Sequence, residues 1–324
     1  MPKRSVPFVI AAGALFGVVS WKSMNNIMHG KRKSLESTLE WQKTNMNMRL
    51  FEQAERTDYT IESFDGYILH ATFLKNPLEA VQALAAGDAS QPAERYVILT
   101  HGYEGNRFRM LSYLRIFFEA GYHVILYDLR DHGENEPSFC TFSIREGRDL
   151  AAVIEDTYRR YGSSIFLGLH GESLGAATTI RSLMYPSDVK FAIADCGFAD
   201  IENVIEGEFK AQHIPNLNYK LTALMTKKKY GYSFDEMRPI DALAGNKVPL
   251  LFIHGANDRF ILPINSRRMM QATDGYAEMH LIPGAAHANS VRTAPRMYEE
   301  IVKAFLKKVE SGACDERSGP DDST

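Results

Sequence analysis

The stretch Ile165-Phe-Leu-Gly-Leu-His-Gly171-Glu172-Ser173-Leu174-Gly175-Ala-Ala-Thr-Thr-Ile180 decides how the rest of this 324-residue chain is read. An apolar run enters Gly-x-Ser-x-Gly, and a run of small residues with helical character leaves it. A serine at the tip of a sharp strand-to-helix turn sits on strained backbone, and flanking glycines let neighbouring chain approach it. The helix N-terminus that follows favours negative charge developing on a substrate oxygen. At average usage of Gly and Ser the five-residue pattern arises by chance roughly 0.1 times in a chain this long. The strand before it and the helix after it lower that expectation further.

A serine hydroxyl is a weak nucleophile without a base, so Ser173 calls for a later histidine and carboxylate. Leu251-Phe-Ile-His254-Gly255-Ala-Asn-Asp258 reads as a strand and a short turn ending in Asp. Met279-His-Leu-Ile-Pro283-Gly-Ala-Ala-His287 reads as a strand and a loop carrying His. Alone, each is an ordinary turn residue. In the order Ser, Asp, His after successive strands they predict a triad, with Ser173 as nucleophile, His287 as general base and Asp258 as the orienting acid. Asp195, in Ala192-Ile-Ala-Asp195-Cys196-Gly, also ends a strand and is the competing acid.

A tetrahedral intermediate needs backbone donors. The expected pair is the N–H of Leu174 and that of Tyr103, in Val97-Ile-Leu-Thr-His101-Gly102-Tyr103-Glu104-Gly105-Asn106. His101 reads as a packing or hydrogen-bonding residue. The side chains of Tyr103 and Glu104 are either pocket wall or exposed loop. The string Asp128-Leu-Arg130-Asp131-His132 reads as a structural turn after a strand rather than a metal or acid/base cluster, and Lys227-Lys-Lys229 as a solvated face.

Working outward, short apolar runs recur at 96–100, 123–127, 165–169, 191–194, 250–253 and 279–282. Segments of helical period, such as 109–120 and 147–161, separate most of them. Continuous apolar strands alternating with amphipathic helices predict a parallel sheet covered on both faces. Tyr59–Phe64 and Tyr67–Leu74 alternate around Asp65-Gly66 and predict a leading antiparallel hairpin. Residues 59–310 form the expected catalytic domain. Within it 198–248 lacks a strand and reads as a small helical cap. Residues 34–58 read as a helical linker, 80–94 as a loop or frayed helix, and 311–324 as a disordered tail.

Net charge is -3, so no field exists to gather nucleic acid. Three scattered cysteines and no His/Cys ligand spacing argue against a disulfide framework or structural zinc, and the chemistry requires no cofactor. At the N-terminus an uncharged run, 6–19, lies between Lys3-Arg4 and Lys31-Arg32-Lys33. It is shorter than the roughly 20 residues that span hydrocarbon. An uncleaved anchor over residues 1–33, a cleaved signal peptide and a buried helix of the domain are the open readings, and the first is preferred. Basic residues on both sides leave the orientation unset.

The strings at His101, Asp128, Gly171, Ala194, Phe252 and Pro283 together resemble bacterial α/β hydrolases of the serine-aminopeptidase-like and Bem46-like group, from about Tyr59 to Lys308. That resemblance implies an α/β-hydrolase fold with an eight-stranded, mostly parallel sheet, a small cap and hydrolysis of a carboxylic ester or related acyl bond. A serine aminopeptidase, a thioesterase and a non-catalytic module on the same fold are the alternatives. For an aminopeptidase, the cap residues Glu202, Glu206 and Glu208 are candidates to hold a substrate ammonium. The resemblance also implies a small acyl substrate as partner and a cell-membrane location through a single N-terminal anchor. Asn135 departs from the group, which usually has Ser there.

Overall fold

The computed structural model describes residues 5–78 and 94–314, with side chains from residue 16 onward. The loop expected at 80–94 falls outside these residues except for Glu94, as does the tail from 315. Earlier in that tail, Cys314 is buried in the core.

Eight strands form one sheet: β1 (Arg56–Glu62), β2 (Ile68–Leu74), β3 (Arg95–Thr100), β4 (Tyr122–Tyr127), β5 (Phe166–Glu172), β6 (Phe191–Asp195), β7 (Leu250–Gly255) and β8 (Ala277–Ile282). Their spatial order is β1-β2-β4-β3-β5-β6-β7-β8. The hairpin β1–β2 joins antiparallel to β4, and the remaining neighbours are parallel.

Period-2 alternation splits the apolar side chains between two cores. In β3, Tyr96 and Ile98 face one side while Val97 and Leu99 face the other. In β7, Leu250 and Phe252 oppose Leu251 and Ile253 in the same way. Because both faces are covered, the strands read as unbroken apolar text. Each fully buried Leu, Ile, Val or Phe contributes about 1.5–3 kcal/mol.

Helices that cover the sheet start and stop on legible signals. At the start of the helix Ile144–Tyr161, the Glu146 carboxylate accepts from Ser143 N at 2.9 Å, and the helix buries Leu150, Val153, Ile154 and Thr157 on one face. Arg159 and Arg160 lie in its last turn, where the dipole favours cations. The helix Pro295–Glu310 has Pro at its start and buries Tyr298, Val302, Phe305 and Leu306. The segment expected as one helix at 109–120 is instead a 3-10 helix, Arg107–Tyr113, continued by a short α-helix, Leu114–Glu119.

In the cap, helices Ile201–Ala211 and Asn216–Tyr230 are followed by two 3-10 turns. The N-terminal run forms α1 (Ser5–Met28), whose second half lies on the cap. Ser20 Oγ donates to Asn218 O at 3.2 Å, and Met24 and Met28 are buried in the main core. Among the described residues, no helix is long and apolar enough to cross a membrane.

After α1 the chain is stitched across the carboxyl ends of the strands. Arg32 donates to Gly133 O at 3.0 Å, and Asn106 Nδ2 donates to Lys33 O at 3.1 Å. Ser34 then caps α2 (Leu35–Asn45), accepting from Ser37 N at 3.1 Å. Gln42, buried on α2, donates to the carbonyls of Phe108 and Arg109 at 2.9 Å each. The interval read as a linker therefore holds α2, a short helix Arg49–Gln53 and the first residues of β1, and α2 is bonded into the domain.

Candidate active site

Ser173 leaves β5 with φ 58° and ψ -116°, a conformation that a non-glycine residue adopts only under strain. Its neighbours explain the glycines. A Cβ on Gly171 would lie 2.2 Å from Gly175 O, and one on Gly175 would lie 2.0 Å from Thr100 O. Both contacts are with backbone, so only glycine lets the helix Leu174–Ser182 begin this close to β3 and β5.

The three candidate residues meet at the carboxyl ends of β5, β7 and β8. Ser173 Oγ is 2.8 Å from His287 Nε2, and His287 Nδ1 is 2.7 Å from Asp258 Oδ2. Burial alone would raise the Asp258 pKa, but hydrogen bonds from His254, His287 and the Ile261 N–H hold it well below the usual carboxylate range. Its Oδ1 accepts from Phe260 N and Ile261 N, each at 3.0 Å. A fixed carboxylate thus faces one ring nitrogen while the other faces the hydroxyl. Such a line can move a proton from hydroxyl to imidazole and stabilise the imidazolium that results.

Asp195 lies elsewhere. It is fully buried, with Oδ2 3.1 Å from Tyr113 Oη, and the same phenol donates to Glu172 Oε2 at 2.7 Å. Burial and the negative charge of Glu172 push its pKa up to about 6. The competing acid therefore belongs to a buried carboxylate pair beneath the serine rather than to the imidazole.

The two expected oxyanion donors flank Ser173. Leu174 is the first residue of its helix, so its N–H has no intrahelical acceptor. A Cβ on Gly102 would lie 3.3 Å from both Ser173 Cβ and Glu172 O, which brings the Gly102–Tyr103 peptide directly against the serine. His101 braces that loop: its Nδ1 lies 2.7 Å from Gly102 O, and its Nε2 accepts from Leu129 N at 2.9 Å. Burial lowers its pKa, which keeps the ring neutral and able to accept. The Tyr103 ring points away toward the carbonyls of Asn26 and Ile27, 2.9 and 2.8 Å from its hydroxyl.

The string at Asp128 is structural. Asp128 accepts from Arg107 N at 2.7 Å and Glu134 N at 3.0 Å, and Arg130 pairs with Asp149 and Asp65. Asn135 has a defined task there. It donates to Asp128 O at 2.7 Å and accepts from His70 N at 2.8 Å, tying the turn to β2. Among the described residues, Cys196, Asp258 and His287 bring potential metal-ligand atoms within 4.8 Å of one another. That donor set does not suit a metal, because Asp258 and His287 are bonded to each other and burial pushes the Cys196 thiol pKa up.

A cleft of about 550 Å³ opens over Ser173 and His287. One wall is Lys33, Ser37, Thr38 and Trp41; the other side is Tyr103, Glu104 and Arg109, with Glu172 below. No residue of 198–248 lines it, so the cap carboxylates considered for an amine do not face this space. Sequence reasoning missed Trp41, Arg109, Tyr113 and Glu172. Glu172 stood inside the decisive motif, and a tryptophan in an otherwise polar linker was the one other signal.

Sheet topology and the family match that follows define a serine hydrolase of the α/β-hydrolase type. Residues 112–312 match the prolyl oligopeptidase family (Peptidase_S9), and the chain belongs to that family. It is 26% identical over 310 residues to YqkD of Bacillus subtilis, covering 93% of this chain and 94% of that one. It is 20% identical to the (R)-3-hydroxydecanoyl-ACP:CoA transacylase of Pseudomonas aeruginosa, over 76% of this chain and 89% of that one. Among solved structures, the Pyrococcus furiosus esterase Pf2001 superposes with a TM-score of 0.63 at 20% identity, covering 82% of this chain and 96% of that one. The acylaminoacyl peptidase of Pyrococcus horikoshii gives 0.59 at 16% identity, with 85% of this chain matching 45% of that longer enzyme. At these identities the structural likeness speaks for the fold alone.

Proposed function

We propose that this chain hydrolyses carboxylic esters of small acyl substrates through an acyl-enzyme on Ser173. The observation that carries the reading is the line from Ser173 through His287 to Asp258, with contacts of 2.8 and 2.7 Å, at the floor of an open cleft. In this reading His287 Nε2 takes the Ser173 proton as Oγ attacks the acyl carbon. The N–H groups of Leu174 and Tyr103 hold the oxyanion, a contribution worth about 10²–10³ in rate per donor. His287 then protonates the departing alkoxide. In deacylation it takes a proton from the water that attacks the acyl carbon, then returns it to Ser173 Oγ as the Oγ–acyl bond breaks and the carboxylic acid leaves.

Family membership makes amide cleavage the second reading. An aminopeptidase needs a carboxylate free to receive an ammonium, and the two in the cleft are engaged. Glu104 accepts from Lys31 N at 3.1 Å, and Glu172 is held by Arg109 and Tyr113. That favours esters. Fluorophosphonate labelling, lost in Ser173→Ala, tests the nucleophile. Turnover of short p-nitrophenyl esters against aminoacyl amides tests the bond, and cleavage of amides only would sink the ester assignment.

A further inference from the structure

Arg109 reaches both reacting side chains through their immediate neighbours. Its Nε donates to Glu172 Oε1 at 3.3 Å, one residue before Ser173. Its Nη2 donates to Ala288 O at 3.2 Å, one residue after His287. Glu172 is almost fully buried, so this contact pairs a charge with little water to replace the partner. Ala288 sits at φ 51°, a left-handed conformation that a residue with a Cβ holds only when its surroundings impose it. Arg292 Nη2 donates to the same carbonyl at 3.1 Å, and the Ala288 N–H bonds to Cys196. The guanidinium carbon of Arg109 lies over the Trp41 ring, 5.4 Å from its centroid, and this contact restrains the fork from the cleft side.

We propose that Arg109 is a positioning residue that sets the distance between Ser173 and His287 by bracketing the two loops that carry them. The inference rests on Ser173 and His287 acting as nucleophile and base. The two residues come from different strands and are joined directly by a single hydrogen bond of 2.8 Å, so the spacing of their loops is not set by either loop alone. A planar guanidinium with several donors in fixed geometry can hold both loops at once, whereas an ammonium or an amide reaches one well. A misplacement of about 1 Å between reacting groups costs on the order of 10²-fold in rate.

The test compares wild type, Arg109→Gln and Arg109→Lys on a neutral p-nitrophenyl ester, with Arg115→Gln as an exposed control. Thermal unfolding of each protein is followed alongside. Arg109→Gln is expected to lose about 10- to 100-fold in kcat and in the rate of fluorophosphonate labelling, with KM within about threefold. Arg109→Lys falls between, and millimolar guanidinium restores part of the Arg109→Gln rate where equal sodium chloride does not. Partial exposure of Arg109 in the cleft makes that rescue accessible. If Arg109→Gln unfolds, Arg109→Lys and its guanidinium response carry the test. Folded variants with unchanged kcat, or a rise in KM alone, would overturn the bracket and leave Arg109 as filler or substrate contact. A folded wild type that neither labels nor turns over ester would sink the hydrolase reading and the bracket with it.

Discussion

Oδ2 of Asp258 lies 2.7 Å from Nδ1 of His287, while its Oδ1 accepts two backbone N–H groups from the turn that follows. One carboxylate thus orients the imidazole and is itself held by its own loop. In Asp258→Asn the amide oxygen can keep the backbone bonds, but its NH2 would face the imidazole N–H and favour the wrong tautomer. We expect kcat to fall about 10⁴-fold with the fold intact. Asp195→Asn should stay within about tenfold of wild type. Steady-state kinetics on both variants decides it, and a larger loss at Asp195 would reverse the assignment.

Asp195 should instead betray itself in stability. Its ordinary unfolded pKa of about 3.9 is raised in the fold to about 6, by burial first and then by Glu172. The folded state binds the proton more tightly, so this group's stabilisation is full below pH about 4 and is lost as pH rises through about 6. Asp195→Asn removes that loss. Urea unfolding should show the variant gaining on wild type between pH 4 and 7.5, by up to about 3 kcal/mol. A pH-independent difference would count against a protonated Asp195.

Two glycine substitutions should part in sign. A Cβ on Gly175 would meet Thr100 O at 2.0 Å, and backbone cannot step aside cheaply. Gly175→Ala should cost about 3 kcal/mol or more. Gly207, within the cap helix Ile201–Ala211, has nothing within 4 Å of an added Cβ. There Gly→Ala should stabilise by about 0.5–1 kcal/mol through helix propensity and lower unfolded-state entropy. Thermal melts of the two variants provide the comparison.

Trp41 is 40% exposed and forms part of the cleft wall. Trp41→Ala should raise KM for bulky esters by about tenfold, a loss of about 1.4 kcal/mol of binding, and lower kcat modestly by freeing the Arg109 fork it restrains. Leu217→Ala, on the exposed face of the cap, should change neither. Equal effects from the two would return the cap to the substrate wall.

The sheet and the candidate triad were legible because their signals are local. Gly171 and Gly175 answer steric demands within one turn of Ser173, and the unbroken apolar text of β3 to β7 follows from burial on both faces. The choice of Asp258 over Asp195 was legible only as strand order, since both end a strand and the sequence does not say which carboxylate meets the ring. The cleft was misjudged. Glu202, Glu206 and Glu208 of the 198–248 insertion were the candidates to face the substrate, whereas Lys33 to Trp41 supply the wall.

That wall depends on Gln42 meeting the carbonyls of Phe108 and Arg109, 66 and 67 residues away, and on Asn106 reaching back to Lys33 and Ser34. Arg109, likewise, meets Glu172 and Ala288 across 63 and 179 residues. By itself, the sequence determined the elements and the reacting groups, because period and motif record short-range sterics and burial. Tertiary structure alone decided what surrounds those groups, because contacts between distant segments are set by how elements pack and leave no periodic trace along the chain.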